Sequence, residues 1–379
     1  MWYFRVLKCL LCWSKFGSMN TIELADYRIH IGDFWANWNA FLAERNYTKV
    51  VVLVDENTKR HCLPIWEANT SVKEYLLIKI EAGEQFKNIE TCQKIWTAMM
   101  EGEVNRSALL VNLGGGVIGD MGGFCASTYK RGIDFVQFPS TLLSQVDASI
   151  GGKLGIDFNH VKNSVGVFRN PQAVFIYPQF LKTLDPREIR SGFAEIIKHS
   201  LIADAVHWAH LSKIATLEAI NWPIYLAPSL EIKKDVVTKD PFEKGLRKAL
   251  NFGHTIGHAI ESVFLETAQP LLHGEAIAIG MICEAYLSHK VVGFSEVALK
   301  QVETFILKIY GKVELNPADY EQFLSLMKKD KKNESDEINF TMLPEIGAVK
   351  INQTASRTLI QESLDYYNGL VSVASPNFS

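Results

Sequence analysis

His254 and His258 stand four residues apart in His254-Thr255-Ile256-Gly257-His258, a spacing that sets both imidazoles on one face of a helix. A third histidine, His273, opens another helical pattern at Leu272-His273-Gly274-Glu275. Glu195, with Lys198 one turn later, offers a carboxylate from a separate helix. A glutamate and two histidines around an open position are the donor set of a catalytic zinc site. No glutamate follows the first histidine, so the pattern is not that of the H-E-x-x-H metalloproteases. Spacing alone leaves ordinary core or surface histidines standing as the alternative. Phe252, Ile256, Ile260 and Val263 form an apolar stripe on roughly the opposite face, so the stripe packs and the histidines look outward, into a cleft or solvent. Gly253 and Gly257 each cost a helix about 1 kcal/mol against Ala, a cost tolerated where something must approach closely.

A second constellation lies between Leu109 and Lys162. An apolar strand run ends in Gly114-Gly115-Gly116-Val117-Ile118-Gly119, a G-x-G-x-x-G that precedes a helix. Small glycines let backbone N–H groups approach a pyrophosphate at the helix N-terminus. The simple dinucleotide fingerprint puts this turn after the first strand of its domain. Here earlier strands precede it, so a plain structural turn is the alternative. Asp55 and Asn57, at the polar end of one of those strands, could serve the ribose or adenine side instead. Arg131, Lys153, Lys162, Lys198, Lys233 and Arg247 fall near turns or polar helix faces. Each alone reads as ordinary surface charge. Gathered around a metal, they would bind a phosphate and a carboxylate.

The elements that must position these residues are α/β first and helical later. Lys49–Val54 (KVVVLV) reads as a buried parallel strand, with Asp55-Glu56-Asn57 at its carboxyl end, where open α/β sheets bind ligands. Tyr75–Ile80 is a further strand, leading through the charged turn Glu81–Lys87 into a helix over Asn88–Met100. Ala108–Leu113, Asp134–Phe138 and Ala173–Tyr177 complete a largely parallel sheet. Asp185-Pro186-Arg187-Glu188 then starts a helix, with Asp at the N-cap and Pro at the first helical position. From there to about residue 330 the pattern is helical, so a domain boundary is expected near 178–186. Ile338–Leu343 and Val349–Ile351 read as a short terminal hairpin. Lys328–Asn333 (KKDKKN) reads as a solvated loop, and Ser372–Ser379 as disordered.

Composition bounds the rest. The chain has 379 residues, enough for two domains. Hydrophobic content of 47% and charged content of 21% are ordinary for a globular protein. A net charge of -3 gives no electrostatic case for nucleic acid or an anionic membrane. Six scattered cysteines suit a reducing compartment, and the lone Cys9-x-x-Cys12 has no second pair beside it. Residues 1–18 are apolar and aromatic but broken by Arg5, Lys8 and Lys15, and too short to span a membrane. They are expected to lie outside the fold, with Met19 as the natural start.

The motifs GGGVIGD, YKRG, SQVDASIGGK, KNSVG, SGFAEIIKH, GLRKALNFGHTIGHAIE and LHGEAIAIGM, in order from about Asp55 to Asn333, closely resemble the 3-dehydroquinate synthase family of sugar-phosphate cyclases. That group is related in fold to glycerol dehydrogenase and the iron-containing alcohol dehydrogenases. The resemblance implies an α/β plus all-α protein: a Rossmann-like NAD-binding α/β domain over 19–180, a helical metal- and substrate-binding domain over 181–365, and a flexible tail over 366–379. It implies a site between the domains, a homodimer and a cytoplasmic location. By the same resemblance Glu195, His254 and His273 are the ligands of one divalent metal, zinc or cobalt. The NAD contacts it implies are Asp55, Asn57, Gly83, Glu84, Gln85, Lys87, Gly115, Gly116, Val117, Ile118, Gly119 and Asp120. Ser140, Thr141, Lys153, Lys162, Phe180, Leu181, Lys182 and Thr183 join them. His258, Lys153, Asp147, Lys162 and Asn163 are its catalytic positions. Lys198, Lys233, Arg247, Asn251 and one lysine of Lys331-Lys332, with Lys331 favoured, are its substrate contacts, and Arg131 reaches the neighbouring subunit's site.

The implied reaction turns 3-deoxy-D-arabino-heptulosonate 7-phosphate (DAHP) into 3-dehydroquinate and phosphate. NAD oxidises C5, phosphate is eliminated, the hydride returns, and an aldol step closes the ring. His258, assisted by Asp147 and Lys153, is expected to move a proton at the C5 hydroxyl. A sister cyclase acting on sedoheptulose 7-phosphate or glucose 6-phosphate is the alternative. Arg247 and Asn251 are the positions that would tell them apart, because Arg247 offers a fork for the carboxylate that only DAHP carries. Ser140 stands where Thr is common in the family, and the hydroxyl is kept. The stretch between His258 and His273 departs slightly in length, and residues 1–18 have no family counterpart.

Overall fold

A computed structural model describes residues 20–159, 161–218, 220–265, 267–329 and 338–371. The leader expected at 1–18, Lys331 and the segment 372–379 lie outside these residues. The described chain forms two compact units, one of residues 20–189 and 221–234, the other of 190–220 and 235–371.

The first unit is built on a sheet of seven strands. In chain order its elements are β1 (Asn20–Glu23), β2 (Arg28–Ile31), α1 (Trp35–Ala43), β3 (Val50–Val54), α2 (Glu56–His61), α3 (Leu63–Asn69) and β4 (Leu76–Lys79). Next come α4 (Ile89–Glu101), β5 (Leu109–Gly114), α5 (Gly116–Thr128), β6 (Asp134–Pro139), the strands β7 (Lys153–Phe158) and β8 (Val161–Phe168), and β9 (Ala173–Ile176). Spatial order in the sheet is β1-β2-β9-β6-β5-β3-β4. All its pairings are parallel except β1 on β2 at the edge.

Alternation along β5 explains how the sheet is covered on both faces. Leu109, Val111 and Leu113 join a cluster with Trp38, Phe138 and Phe175. Leu110, on the other face, packs with Ile118 and Met121 of α5. The all-buried Val50–Val54 has no polar face to offer, which is why it sits inside the sheet.

The second unit is helical. It takes most of α6 (Pro186–Ala203), then α7 (Ala205–Leu211); α8 (Trp222–Lys239) follows, divided between the units. Its remaining elements are α9 (His254–Phe264), α10 (His273–Val292), α11 (Glu296–Tyr310), α12 (Tyr320–Lys329), the antiparallel strands β10 (Asn339–Met342) and β11 (Lys350–Thr354), and α13 (Arg357–Gly369). The N-cap expected at Asp185 is present, since its Oδ1 accepts the N–H of Arg187 at 2.7 Å. α10 is the core of this unit, buried on nearly every side and packed by α9, α11 and α13. No helix among the described residues is long and apolar enough to cross a membrane.

Three expectations need correction. The polar segment after the glycine turn is a hairpin, β7 with β8, and Lys153 and Lys162 ride on its strands. Its exposed apolar residues and glycines gave no clear period. Phe252 precedes α9, because Gly253 takes the left-handed conformation and starts the helix after itself. Of the cleft and the solvent left open for the histidines, burial favours the cleft, since His254 is buried and His258 half-buried. Residues 366–369, expected in the tail, belong to α13, which runs to Gly369 and buries Tyr367.

Candidate active site

α9 and α10 meet unusually closely. A Cβ on Gly280 would overlap the carbonyl oxygen of Gly253, and one on Gly257 would come 2.8 Å from Ile277 Cδ1. The glycine cost read from the sequence is therefore the condition for backbone-to-backbone packing. That packing brings His273, at the start of α10, next to His254 and His258 of α9. The ring centroids of His254 and His258 are 5.1 Å apart, those of His254 and His273 5.5 Å, and those of His258 and His273 5.6 Å.

Glu195 of α6 completes the cluster. Its Oε1 lies 3.4 Å from His254 Nε2 and 3.8 Å from His273 Nε2. Its Oε2 is taken by the Lys198 ammonium one turn along. Oε1 is fully buried and accepts no hydrogen bond from the described residues. A buried carboxylate oxygen left open is costly unless something else satisfies it.

Both histidines have committed their other nitrogen. His254 Nδ1 lies 3.1 Å from the carbonyl oxygen of Phe252, and His273 Nδ1 lies 3.1 Å from Glu261 Oε2. Each therefore turns Nε2 toward the orphaned oxygen. One carboxylate and two imidazoles with their outer nitrogens anchored are a fitting donor set for a divalent metal such as zinc. His258 also has a nitrogen within ligand range of the other two histidines.

Electrostatics sort these groups. Burial and the Lys198 ammonium hold His254 well below the usual histidine range. Burial works the same way on His273, but the facing Glu195 and Glu261 carboxylates outweigh it and push the ring up to about 9. For Glu195 burial favours the neutral acid, yet Lys198 and His254 keep its carboxyl well below the ordinary value. Nearby in the same unit, Arg247 is buried, with one guanidinium nitrogen 2.7 Å from the carbonyl oxygen of Pro241. Asn251 donates to Glu243 at 3.0 Å.

In the sheet unit, the residues expected to bind a nucleotide cluster at the carboxyl ends of parallel strands. Asp55 follows β3, Gly83–Lys87 follow β4, Gly115–Asp120 follow β5, Ser140 and Thr141 follow β6, and Phe180–Thr183 follow β9. That edge is where open α/β sheets take ligands. α5 starts with no capping side chain and no acidic residue in its first turn, so its N-terminal N–H groups are available to an anion. Gly115 keeps the approach clear, because a Cβ there would stand 2.9 Å from Thr141 Cγ2. Gly83, at φ +122°, needs to be glycine for its backbone.

Lys87 joins several of these residues. Its buried ammonium lies 2.7 Å from Asp120 Oδ2 and 2.7 Å from Asn163 Oδ1. Burial disfavours its charge, but Asp120 and Glu84 more than offset this and raise its pKa. Lys233 is buried as well, and its ammonium binds the side chain and the carbonyl of Asp147.

Other expected residues keep less of themselves for a ligand. Asp55 caps α2 by accepting the N–H of Thr58 at 2.7 Å, and Asn57 is exposed on that helix. The side chains of Ile118, Phe180 and Leu181 belong to the core, while Val117 packs against it. Lys182 and Thr183 are exposed, as are Lys153 and Lys162. Arg131 is exposed too, in a turn where Lys130, Arg131 and Gly132 all have positive φ.

Three groups that contact α9 or the histidines escaped the sequence reading. Glu261 sits seven residues after His254, on the same helix face, so the signal was available. Glu284 is the one acid in the apolar run Ile277–Ala285, a signal of a different kind. The carbonyl of Phe252 left no sequence signal.

The comparisons agree with one another. The model for the 3-dehydroquinate synthase N-terminal region matches residues 77–191, and that for the C-terminal region matches residues 192–333. The chain is 45% identical over 329 residues to the 3-dehydroquinate synthase of Parabacteroides distasonis, covering 86% of this chain and 93% of that one. It is 38% identical over 362 residues to the enzyme of that name from Ruminiclostridium cellulolyticum, covering 91% and 99%. In fold it resembles 2-deoxy-scyllo-inosose synthase, solved with carbaglucose-6-phosphate, NAD+ and Co2+, at a TM-score of 0.80 and 21% identity over 92% of this chain and 99% of that one. It also resembles the 2-epi-5-epi-valiolone synthase of Streptomyces hygroscopicus, solved with NAD+ and Zn2+, at 0.77 and 24% over 92% and 99%.

Proposed function

The chain belongs to the 3-dehydroquinate synthase family, and from that premise we propose how its residues carry the family's reaction. The protein is a phosphate-eliminating lyase that converts DAHP to 3-dehydroquinate and phosphate in the shikimate pathway. Its cofactors are NAD and one divalent metal, zinc or cobalt. When bound, NAD supplies a hydride acceptor that is restored each cycle, and the metal supplies a Lewis acid for the oxygen on C5.

The observation that carries the site is the orphaned Glu195 Oε1, faced by the Nε2 atoms of His254 and His273. These three residues hold the metal. Gly115, Gly116 and Gly119 admit the pyrophosphate to the start of α5, and the Lys87 ammonium steadies Asp120 and Asn163 beside it. Val117 and Ile118 contribute backbone there. Lys153, Lys162, Lys198, Lys233 and Arg131 supply cations for the substrate phosphate, and Arg247 with Asn251 takes the carboxylate. His258, half-buried beside the ligand histidines, takes and returns the proton of the C5 hydroxyl, assisted by Asp147 and Lys153. Lys331 adds a further substrate contact.

The working form is a cytoplasmic homodimer in which Arg131 serves the neighbouring subunit's site. Support for a dimer comes from β7 and β8, which expose Phe158, Val161, Val165 and Phe168. Next to Phe168, Arg169 packs against Gly132 of the Arg131 turn. Apolar surface of this sort is covered in stable assemblies.

The test is incubation of the purified protein with DAHP, catalytic NAD+ and zinc. Phosphate release without net NADH is the expected result. Turnover of sedoheptulose 7-phosphate or glucose 6-phosphate in place of DAHP would move the protein to a sister cyclase.

A further inference from the structure

Glu284 lies in the middle of α10, fully buried, in the apolar run Ile277–Ala285 (IAIGMICEA). A carboxylate there is costly unless its oxygens are satisfied. They are spent on the start of α9. Oε2 accepts the N–H of Gly253 at 2.7 Å, and Oε1 accepts the N–H of Ile256 at 3.1 Å. α9 has no capping side chain of its own, so Glu284 caps it from the neighbouring helix.

The Gly253 N–H and the Phe252 carbonyl belong to one planar peptide. The nitrogen side of that plane is held by Glu284. Its oxygen lies 3.1 Å from His254 Nδ1. The peptide cannot easily rotate away, because Gly253 is left-handed at φ +80° and a Cβ there would meet Met281 Cγ at 2.5 Å.

We propose that Glu284 is a positioning residue for the metal site. By clamping the Phe252–Gly253 peptide, it keeps the His254 proton on Nδ1 and aims Nε2 at Glu195 Oε1. The inference rests on Glu195, His254 and His273 being the metal ligands. A plain helix cap would stabilise the fold and leave metal affinity alone, whereas a clamp also governs the affinity and the ligand field.

The experiment compares the full-length wild type with Glu284→Gln and Ile282→Ala. The Gln side chain keeps the shape of Glu but replaces one acceptor oxygen with a donor. Ile282 is buried on another face of α10, so its truncation destabilises by leaving a cavity without touching the clamp. Three quantities are read: the thermal midpoint of the metal-free protein, the zinc dissociation constant by chelator competition, and the visible spectrum of the cobalt-loaded protein. Both variants should lower the midpoint. Only Glu284→Gln should weaken zinc at least about tenfold and shift the cobalt bands.

Unchanged zinc affinity in Glu284→Gln, or an equal loss in Ile282→Ala, would overturn the clamp while leaving the ligand assignment intact. A wild type that binds neither zinc nor cobalt would overturn both. Should Glu284→Gln fail to fold, nitrogen NMR of the zinc-loaded wild type decides. Zinc on Nε2 of His254 with a proton kept on Nδ1 supports the clamp, and zinc on Nδ1 overturns it.

Discussion

His273 Nδ1 lies 3.1 Å from Glu261 Oε2, a contact between the first turn of α10 and the last turns of α9. The carboxylate fixes which imidazole nitrogen carries the proton and leaves Nε2 for a metal. Replacing Glu261 by Ala should weaken zinc by about 10–100-fold, and by Gln less, because the amide oxygen still accepts. Chelator competition on the two variants checks this, and equal affinities in both would contradict it.

The same contact sets a pH dependence. With His273 pushed up to about 9, the metal-free protein at pH 7 carries a proton there that metal must displace. His254, held low by burial and Lys198, has none to lose. Zinc affinity should therefore rise about tenfold per pH unit from pH 7 to 9 and level off above. The stability of the metal-free protein runs the other way. A raised folded pKa stabilises below the unfolded value, near 6.5, and that contribution is lost as pH rises through about 9. Competition and thermal melts between pH 6 and 10 would show both trends.

Gly253→Ala tests the close approach of α9 and α10. The new methyl meets Met281 Cγ at 2.5 Å on a backbone that disfavours any side chain. A loss of about 2–4 kcal/mol is expected from strain and overpacking together. Urea unfolding of the metal-free protein measures it.

Lys87→Ala removes the ammonium shared by Asp120 and Asn163 and leaves a largely buried carboxylate unpaired. The cost should be about 3 kcal/mol, with a rise in KM for NAD of about tenfold or more. Lys87→Met should cost a similar amount, because it restores bulk without charge. Steady-state kinetics and melts on both variants decide.

Arg131→Ala and Lys153→Ala should each abolish most turnover. If Arg131 serves the partner's site, mixed dimers of the two variants carry one intact site in two. Random mixing should then recover about a quarter of wild-type activity. No recovery on co-expression would place Arg131 in its own subunit's site or outside any site.

Much of the fold was legible in the sequence. Lys49–Val54 and Ala108–Leu113 are so uniformly apolar and β-branched that only a buried parallel strand suits them, and both appear within a residue of expectation. Asp185-Pro186 announced α6 because capping is local chemistry. The hairpin of β7 and β8 was missed, because its outer face carries Phe158, Val161 and Val165 where a solvated strand would alternate with polar residues. The strands β1 and β2 are short and were missed for want of length.

Local patterns determined the residue inventory: which imidazoles share a helix face, where glycines open a turn, and which family the chain belongs to. Only the tertiary structure decided how those groups are paired. It spent one Glu195 oxygen on Lys198 and left the other facing two histidines. It buried Lys233 against the Asp147 carboxylate, where surface charge had been the plain reading. It also brought Glu284 onto the peptide that holds His254. Apart from Glu195 with Lys198, such pairings join residues dozens of positions apart, and their energy depends on distance and burial, which no spacing in a sequence carries.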